Sequence, residues 1–271
     1  MSERLQSVTY SFGTREEDDG DGSGSAWFHI LYKNINVNAD GRIADPRDGG
    51  TTLSQADWTW NRSSYFLHWT NSSPRQASPE VTGVVHDTSA SEVTLLCFGT
   101  PETVQARFAR ISQHPSSLSS SYSSLSTWRS ALGDPYLLFA TVLEEISVHQ
   151  DKIIWDFSRV FGKVERATLD QAQGVDRGEQ EHDFVGLHNM AKHIIYLKES
   201  SDATINILGA LDEAHDMLLS PSGAASLGAQ VARIHQSTRL ALQYRRRFLE
   251  SQNLRLTSLE KRMANVINLV S

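Results

Sequence analysis

The last stretch of the chain, Ser226 to Ser271, most narrows what it can fold into. It contains no proline and its only glycine is Gly228, so nothing in it interrupts a helix. At about 1.5 Å per residue such a helix would be about 65–70 Å long, roughly twice the width of a small domain. Leu242, Arg245, Leu249, Gln252, Leu256, Leu259, Met263, Val266 and Val270 recur in steps of three and four, a heptad seam with two polar breaks. Such a seam needs a partner, either neighbouring helices in a bundle or other copies in an oligomeric coiled coil. Arg245, Arg246, Arg247, Lys261 and Arg262 give the outer faces a basic character. The run closes on Val266, Ile267, Leu269 and Val270 without a glycine cap, which predicts that the natural chain continues.

With 271 residues, 39% of them hydrophobic and 21% charged, the chain can bury one substantial core or two modest ones. The formal net charge of −7 argues against nucleic acid as a partner, because phosphate contact needs a basic surface. Cys97 is the only cysteine, so a disulfide framework is excluded. It lies in the apolar run Val93 to Phe98, which predicts a buried core residue. Met1 to Phe12 has no basic segment followed by an apolar core, and no window approaches about eighteen consecutive apolar residues. The expected location of the chain as written is cytoplasmic.

The first half reads as strands: Ser7 to Phe12 weakly, Ala26 to Lys33 and Ser64 to Thr70 strongly, then Thr82 to His86 and Glu92 to Gly99. Those last two are expected to pair as neighbours across the turn Asp87 to Ser91. Arg15 to Ser25 is acidic and glycine-rich and reads as a loop. Thr100-Pro-Glu then signals a helix start, with Val104, Phe108 and Ile111 on its apolar face. The serine-rich stretch within residues 115–126 reads as a linker. Asp134-Pro135 opens a further helix to about Ala167, and Asp183 to Leu219 forms one long helix or two broken near Ser200 to Asp202. Strands first and helices last predict an α+β fold followed by antiparallel helices. The expected organisation is a strand-rich part over 1–133, a helical section over 134–221 and a long helix over 222–271.

The candidate chemistry is sparse. Asp19, Asp21, Ser23 and Gly24 resemble half of a calcium loop, but Ile30 stands where a bidentate glutamate is needed. No glycine-rich phosphate loop is present, and no Gly-x-Ser-x-Gly turn. His188 and His193 are five apart, on different sides of a helix, and Glu144 and Glu145 point about 100° apart. Low-affinity cation sites are conceivable at Glu181-His182-Asp183 and at Asp212, His215 and Asp216, where helical spacing puts Asp212 on one face with the other two. Asp212 and Asp216 are the candidate metal ligands. Trp27, Phe28, Trp58, Trp60, Phe66 and Trp69 read as core or cross-strand pairs. None of this points to an enzyme.

Gln243-Tyr-Arg-Arg-Arg-Phe-Leu-Glu-Ser-Gln252, continuing through Leu259-Glu-Lys-Arg-Met-Ala-Asn-Val-Ile-Asn-Leu-Val270, resembles the stalk of the CorA-type magnesium transporter family, in particular its fungal members. Tyr65-Phe-Leu-His-Trp69 and Pro135-Tyr-Leu-Leu add to the likeness. The resemblance implies an αβα cytosolic domain whose mixed sheet is flanked by helices. It also implies a homopentamer, Mg2+ as a regulatory ligand held by carboxylates between subunits, and attachment to the cytosolic face of a membrane through downstream helices. The family's Gly-Met-Asn pore signature and its two membrane spans do not occur here: Met190 precedes Ala191, and Met263 sits in Arg-Met-Ala-Asn. The expected function is therefore a regulatory and assembly domain of a CorA-like divalent-cation transporter without its pore. The rival expectation is a stand-alone protein-interaction module on the same fold.

Overall fold

The structure is a computed structural model and describes residues 10–16, 23–35, 58–71, 90–113, 124–174, 184–218 and 229–270. The strands it describes are β1 (Tyr10–Glu16), β2 (Gly24–Ile35), β3 (Trp58–Asn71) and β4 (Ala90–Phe98). The helices are α1 (Glu102–Gln113), α2 (Ser124–Gly133), α3 (Tyr136–Ala172), α4 (Phe184–Leu218) and α5 (Ala229–Val270). The strands form one antiparallel sheet in the order β1-β2-β3-β4, so the α+β class expected from the order of elements is the one observed. The uninterrupted helix expected at the C-terminal end is α5.

The chain gathers into two compact units that do not follow chain order. The first comprises Met1–Ile30, Arg62–Ser147 and Thr204–Arg247; the second comprises Leu31–Asn61, Val148–Ala203 and Phe248–Ser271.

In the first unit, strand alternation sets the core. Ala26, Phe28 and Ile30 of β2 and Tyr65, Leu67 and Trp69 of β3 are buried, as the period of two requires of one covered face. The Phe28 ring lies 4.9 Å from Tyr65 and 5.0 Å from Phe139 of α3, and Trp69 lies 5.8 Å from Tyr136 at the start of that helix. Covering one such ring contributes about 1.5–3 kcal/mol, so this layer fixes where α3 begins. Gly24 sits under the same layer, where a Cβ would come within 2.8 Å of the Trp69 ring. Gly99, after β4, has a φ of 62°. A Cβ there would lie 2.0 Å from the Arg62 carbonyl oxygen, so the turn into α1 admits no side chain.

In the second unit three helices share one core. Ile153, Ile154, Phe157, Val160 and Phe161 of α3 pack with Leu187, Met190, Ile194 and Leu197 of α4 and with Leu256, Leu259, Met263 and Val266 of α5. Their three-and-four spacing is the apolar stripe that the sequence shows on each helix. Polar pairs border it: Lys198 Nζ lies 3.3 Å from Glu260 Oε2, and Arg262 Nε donates to Glu165 Oε1 at 2.9 Å. The helix pair holds Glu165 below and Arg262 above their usual ranges, each chiefly through that hydrogen bond.

Several sequence expectations change. Arg15 and Ser25 are partners in the β1/β2 ladder, as are Glu16 and Gly24, so the loop is shorter than 15–25: backbone pairing extends a strand past its apolar residues. The linker expected over 115–126 already belongs to α2 from Ser124. Ala131 is buried and the Trp128 ring lies 6.0 Å from Phe108, so two anchors hold a helix that serine content alone does not suggest. Helix α3 runs on to Ala172. Of the two alternatives expected for α4, the single long helix is the one observed, with Ser200 and Ser201 buried within it and Gln150 donating to Ser200 Oγ at 3.3 Å.

Cys97 is exposed, not a core residue. It pairs with Tyr65 across the β3/β4 ladder, and β4 ends the strand order among the described residues. Of the aromatic set, Phe28 and Trp69 are buried while Trp27 and Trp60 stay more than a third exposed. Thr82 to His86, with its expected pairing, lies outside the described residues.

Candidate metal centre

The junction between α2 and α3 is built from Gly133-Asp134-Pro135. The Asp134 N–H donates to the Ser130 carbonyl at 2.8 Å, closing α2. Pro135, immediately before α3, fixes a helix-compatible φ and has no N–H to leave unpaired. The Asp134 carboxylate then caps α3, its Oδ1 accepting from the Tyr136 N–H at 3.1 Å. With Oδ1 held this way, Oδ2 is fixed in direction.

Two histidines meet Oδ2. His215, in the last turn of α4, places Nε2 2.8 Å from it, and His235, near the start of α5, places Nδ1 3.3 Å away. The two ring nitrogens lie 3.2 Å from each other. Asp134 and His215 have no solvent exposure and His235 very little. The Tyr136 ring lies 5.5 Å from His215, which ties the cluster to the aromatic layer over the sheet. Burial pushes the Asp134 carboxyl up, but hydrogen bonds and charge attraction from His215 and His235 outweigh it and hold the group well below the usual carboxylate range. A carboxylate in this dry setting needs a compensating partner, and the two ring nitrogens are what its Oδ2 meets.

Among the described residues this is the group of three whose ligand atoms converge, all within 4.8 Å. His215 is the one member that helical spacing singles out from the sequence. Asp134 reads there only as a helix opener, and His235 not at all. The signal available was geometric: antiparallel pairing of α4 with α5 brings positions near 215 and 235 to one level.

Asp212 and Asp216 are placed elsewhere. Asp216 Oδ2 lies 2.7 Å from Arg239 Nη2, and Asp212 takes Gln243 Nε2 at 3.3 Å with Arg239 Nε at 4.0 Å. Their charges face Arg239, while the His215 ring between them in sequence turns to Asp134 and His235. Glu181-His182-Asp183 lies outside the described residues. Glu144 pairs with Arg245, and Arg107 bridges the adjacent carboxylates, 3.9 Å from Glu144 and 3.7 Å from Glu145.

Two other features are less organised for chemistry. A cleft of about 740 Å³ is bordered by Leu95, Cys97, Phe108 and Trp128. Partial burial raises the Cys97 thiol pKa, which disfavours the reactive thiolate. In the second unit, Lys33 Nζ lies 4.7 Å from the Trp60 ring and 4.4 Å from that of Tyr196. No family model matches the chain, and no curated protein matches it.

Proposed function

We propose that this protein is the cytosolic regulatory and assembly domain of a CorA-like divalent-cation transporter and that it self-associates through the outer face of α5. One observation carries the assembly part. Opposite the buried seam of α5, Leu240, Tyr244, Leu254 and Leu269 are 58%, 60%, 74% and 49% exposed. At about 100° per residue these four fall within roughly 80° of arc, one stripe of the helix. Single exposed leucines need no explanation, but four exposed apolar side chains set among polar residues on one side of a helix, whose other side is already packed, support a second contact. The stalk motif from Gln243 to Val270 supports the family reading. No helix among the described residues is long and apolar enough to cross a membrane, so on this reading the domain meets the bilayer through other segments.

Regulation follows from simple electrostatics. Carboxylates of adjoining copies repel until a hard dication bridges them, so Mg2+ ties copies together and its removal loosens them. Light scattering in Mg2+ and in chelator tests this: the expected result is a Mg2+-dependent oligomer that Leu240→Asp and Leu254→Asp dissociate. A monomer indifferent to Mg2+ overturns it and favours the stand-alone interaction module.

A further inference from the structure

We infer that Asp134, His215 and His235 form a resident transition-metal site, and that Zn2+ is the ion it takes. Two imidazole nitrogens and one carboxylate oxygen form a borderline donor set suited to Zn2+, Co2+ or Ni2+. Mg2+ and Ca2+ call for oxygen ligands, so this site is distinct from any regulatory magnesium.

The geometry fits. With Zn–N near 2.0–2.1 Å, tetrahedral ligands stand about 3.3–3.4 Å apart. The separations here are 3.2 Å between His215 Nε2 and His235 Nδ1, 3.3 Å from His235 Nδ1 to Asp134 Oδ2, and 2.8 Å from His215 Nε2 to Asp134 Oδ2. Two edges lie within about 0.1 Å of the required length. The third opens by about 0.5 Å when both atoms turn their lone pairs to a metal instead of sharing a proton.

The donors are also held in place. Oδ1 of Asp134 is fixed by the Tyr136 N–H, and the His215 ring packs on Tyr136 with no exposed surface. A dication placed among one carboxylate oxygen and two imidazole nitrogens satisfies three buried polar atoms at once. Three protein ligands leave the fourth position to a small molecule such as water. The site joins the α2/α3 junction, the last turn of α4 and the start of α5, so a bound ion clamps three segments that are far apart in sequence.

The test is metal uptake by the chain stripped with chelator and dialysed against Zn2+, with Mg2+ as the comparison ion. The expected result is one equivalent of Zn2+ retained, no Mg2+ at this site, a raised Tm, and for Co2+ the visible absorption of a four-coordinate ion with imidazole ligands. Asp134→Asn keeps the cap on α3 but not the charge, and His235→Gln removes one donor; each should lower Zn2+ affinity at least about 100-fold with the far-ultraviolet circular dichroism unchanged. Absence of stoichiometric uptake, or uptake that both variants keep, overturns the assignment. If the variants fail to fold, X-ray absorption of the Zn2+-loaded wild type decides, since fewer than two imidazole donors is equally fatal. None of these readouts depends on the oligomeric state, so this site and the transporter reading stand or fall separately.

Discussion

Gln252 donates from Nε2 to Oδ1 of Asp151 at 2.9 Å, so one polar break in the apolar seam of α5 is filled by a hydrogen bond to α3. Gln252 is 7% exposed, and few other groups can replace that bond. Gln252→Ala should destabilise the protein by about 1–3 kcal/mol, because it leaves a carboxylate without its donor as well as a void. Adding Asp151→Leu should cost less than the sum of the two single changes. Urea unfolding of the four proteins of this double-mutant cycle checks it; strict additivity would mean the two residues are not coupled.

The two faces of α5 should respond oppositely to truncation. Leu256 is fully buried among Leu259, Met263 and the α3 and α4 side chains, whereas Leu254, two residues earlier, is 74% exposed. Leu256→Ala should cost about 2–5 kcal/mol and Leu254→Ala less than about 0.5 kcal/mol in chemical denaturation at a concentration where the chain is monomeric. The same Leu254 variant should nevertheless weaken self-association, visible as a lower mass by light scattering.

What the sequence makes legible follows from periodicity. Helix α5 and its seam can be read because burial recurs along one face from Leu242 to Val266, about 36 Å of helix, and β2 and β3 because their apolar content is dense. The two breaks in the seam are readable as breaks, but not their answers, Glu144 and Asp151, which lie about 100 residues away and are brought near only by packing. Helix α2 is hidden because its anchors, Trp128 and Ala131, are too few to set a period. Cys97 is misjudged because an apolar run says nothing about which strand lies at a sheet edge. The metal centre is the extreme case: its three ligands belong to a junction and two helices, with no spacing in common.

Asp134 has two tasks that substitution can separate. Asparagine retains an oxygen for the Tyr136 N–H but cannot carry charge toward His215 and His235; alanine loses both. In metal-free buffer Asp134→Ala should therefore be less stable than Asp134→Asn by about 1 kcal/mol, the usual worth of a helix cap. Neither variant carries the carboxyl, so the gap between them does not follow its titration. Thermal unfolding of the three proteins at pH 5 and pH 7 measures the gap, which should be similar at both.

The second unit should lose stability in acid because of His193. This residue is 8% exposed, and burial first, then the charges of Lys33 and Lys192, push its pKa down to about 3. Lys33 is pushed down to about 8, mainly by burial and then by Lys192, while its ammonium lies against the Trp60 and Tyr196 rings. Both groups thus take up protons more readily in the unfolded chain than in the folded one. For His193 that difference operates between about pH 6.5 and 3, so stability should fall on acidification across this window by up to about 1.4 kcal/mol per pH unit. For Lys33 it operates between about pH 10.5 and 8, where stability should rise as the lysine is neutralised. His193→Leu should flatten the acid limb relative to wild type, and Lys33→Met should remove the alkaline rise. Since Lys33 is one of the charges depressing His193, Lys33→Met should also raise the His193 pKa, which imidazole proton resonances followed through the titration report directly. An unchanged His193 titration in that variant would show that Lys33 does not contribute to it.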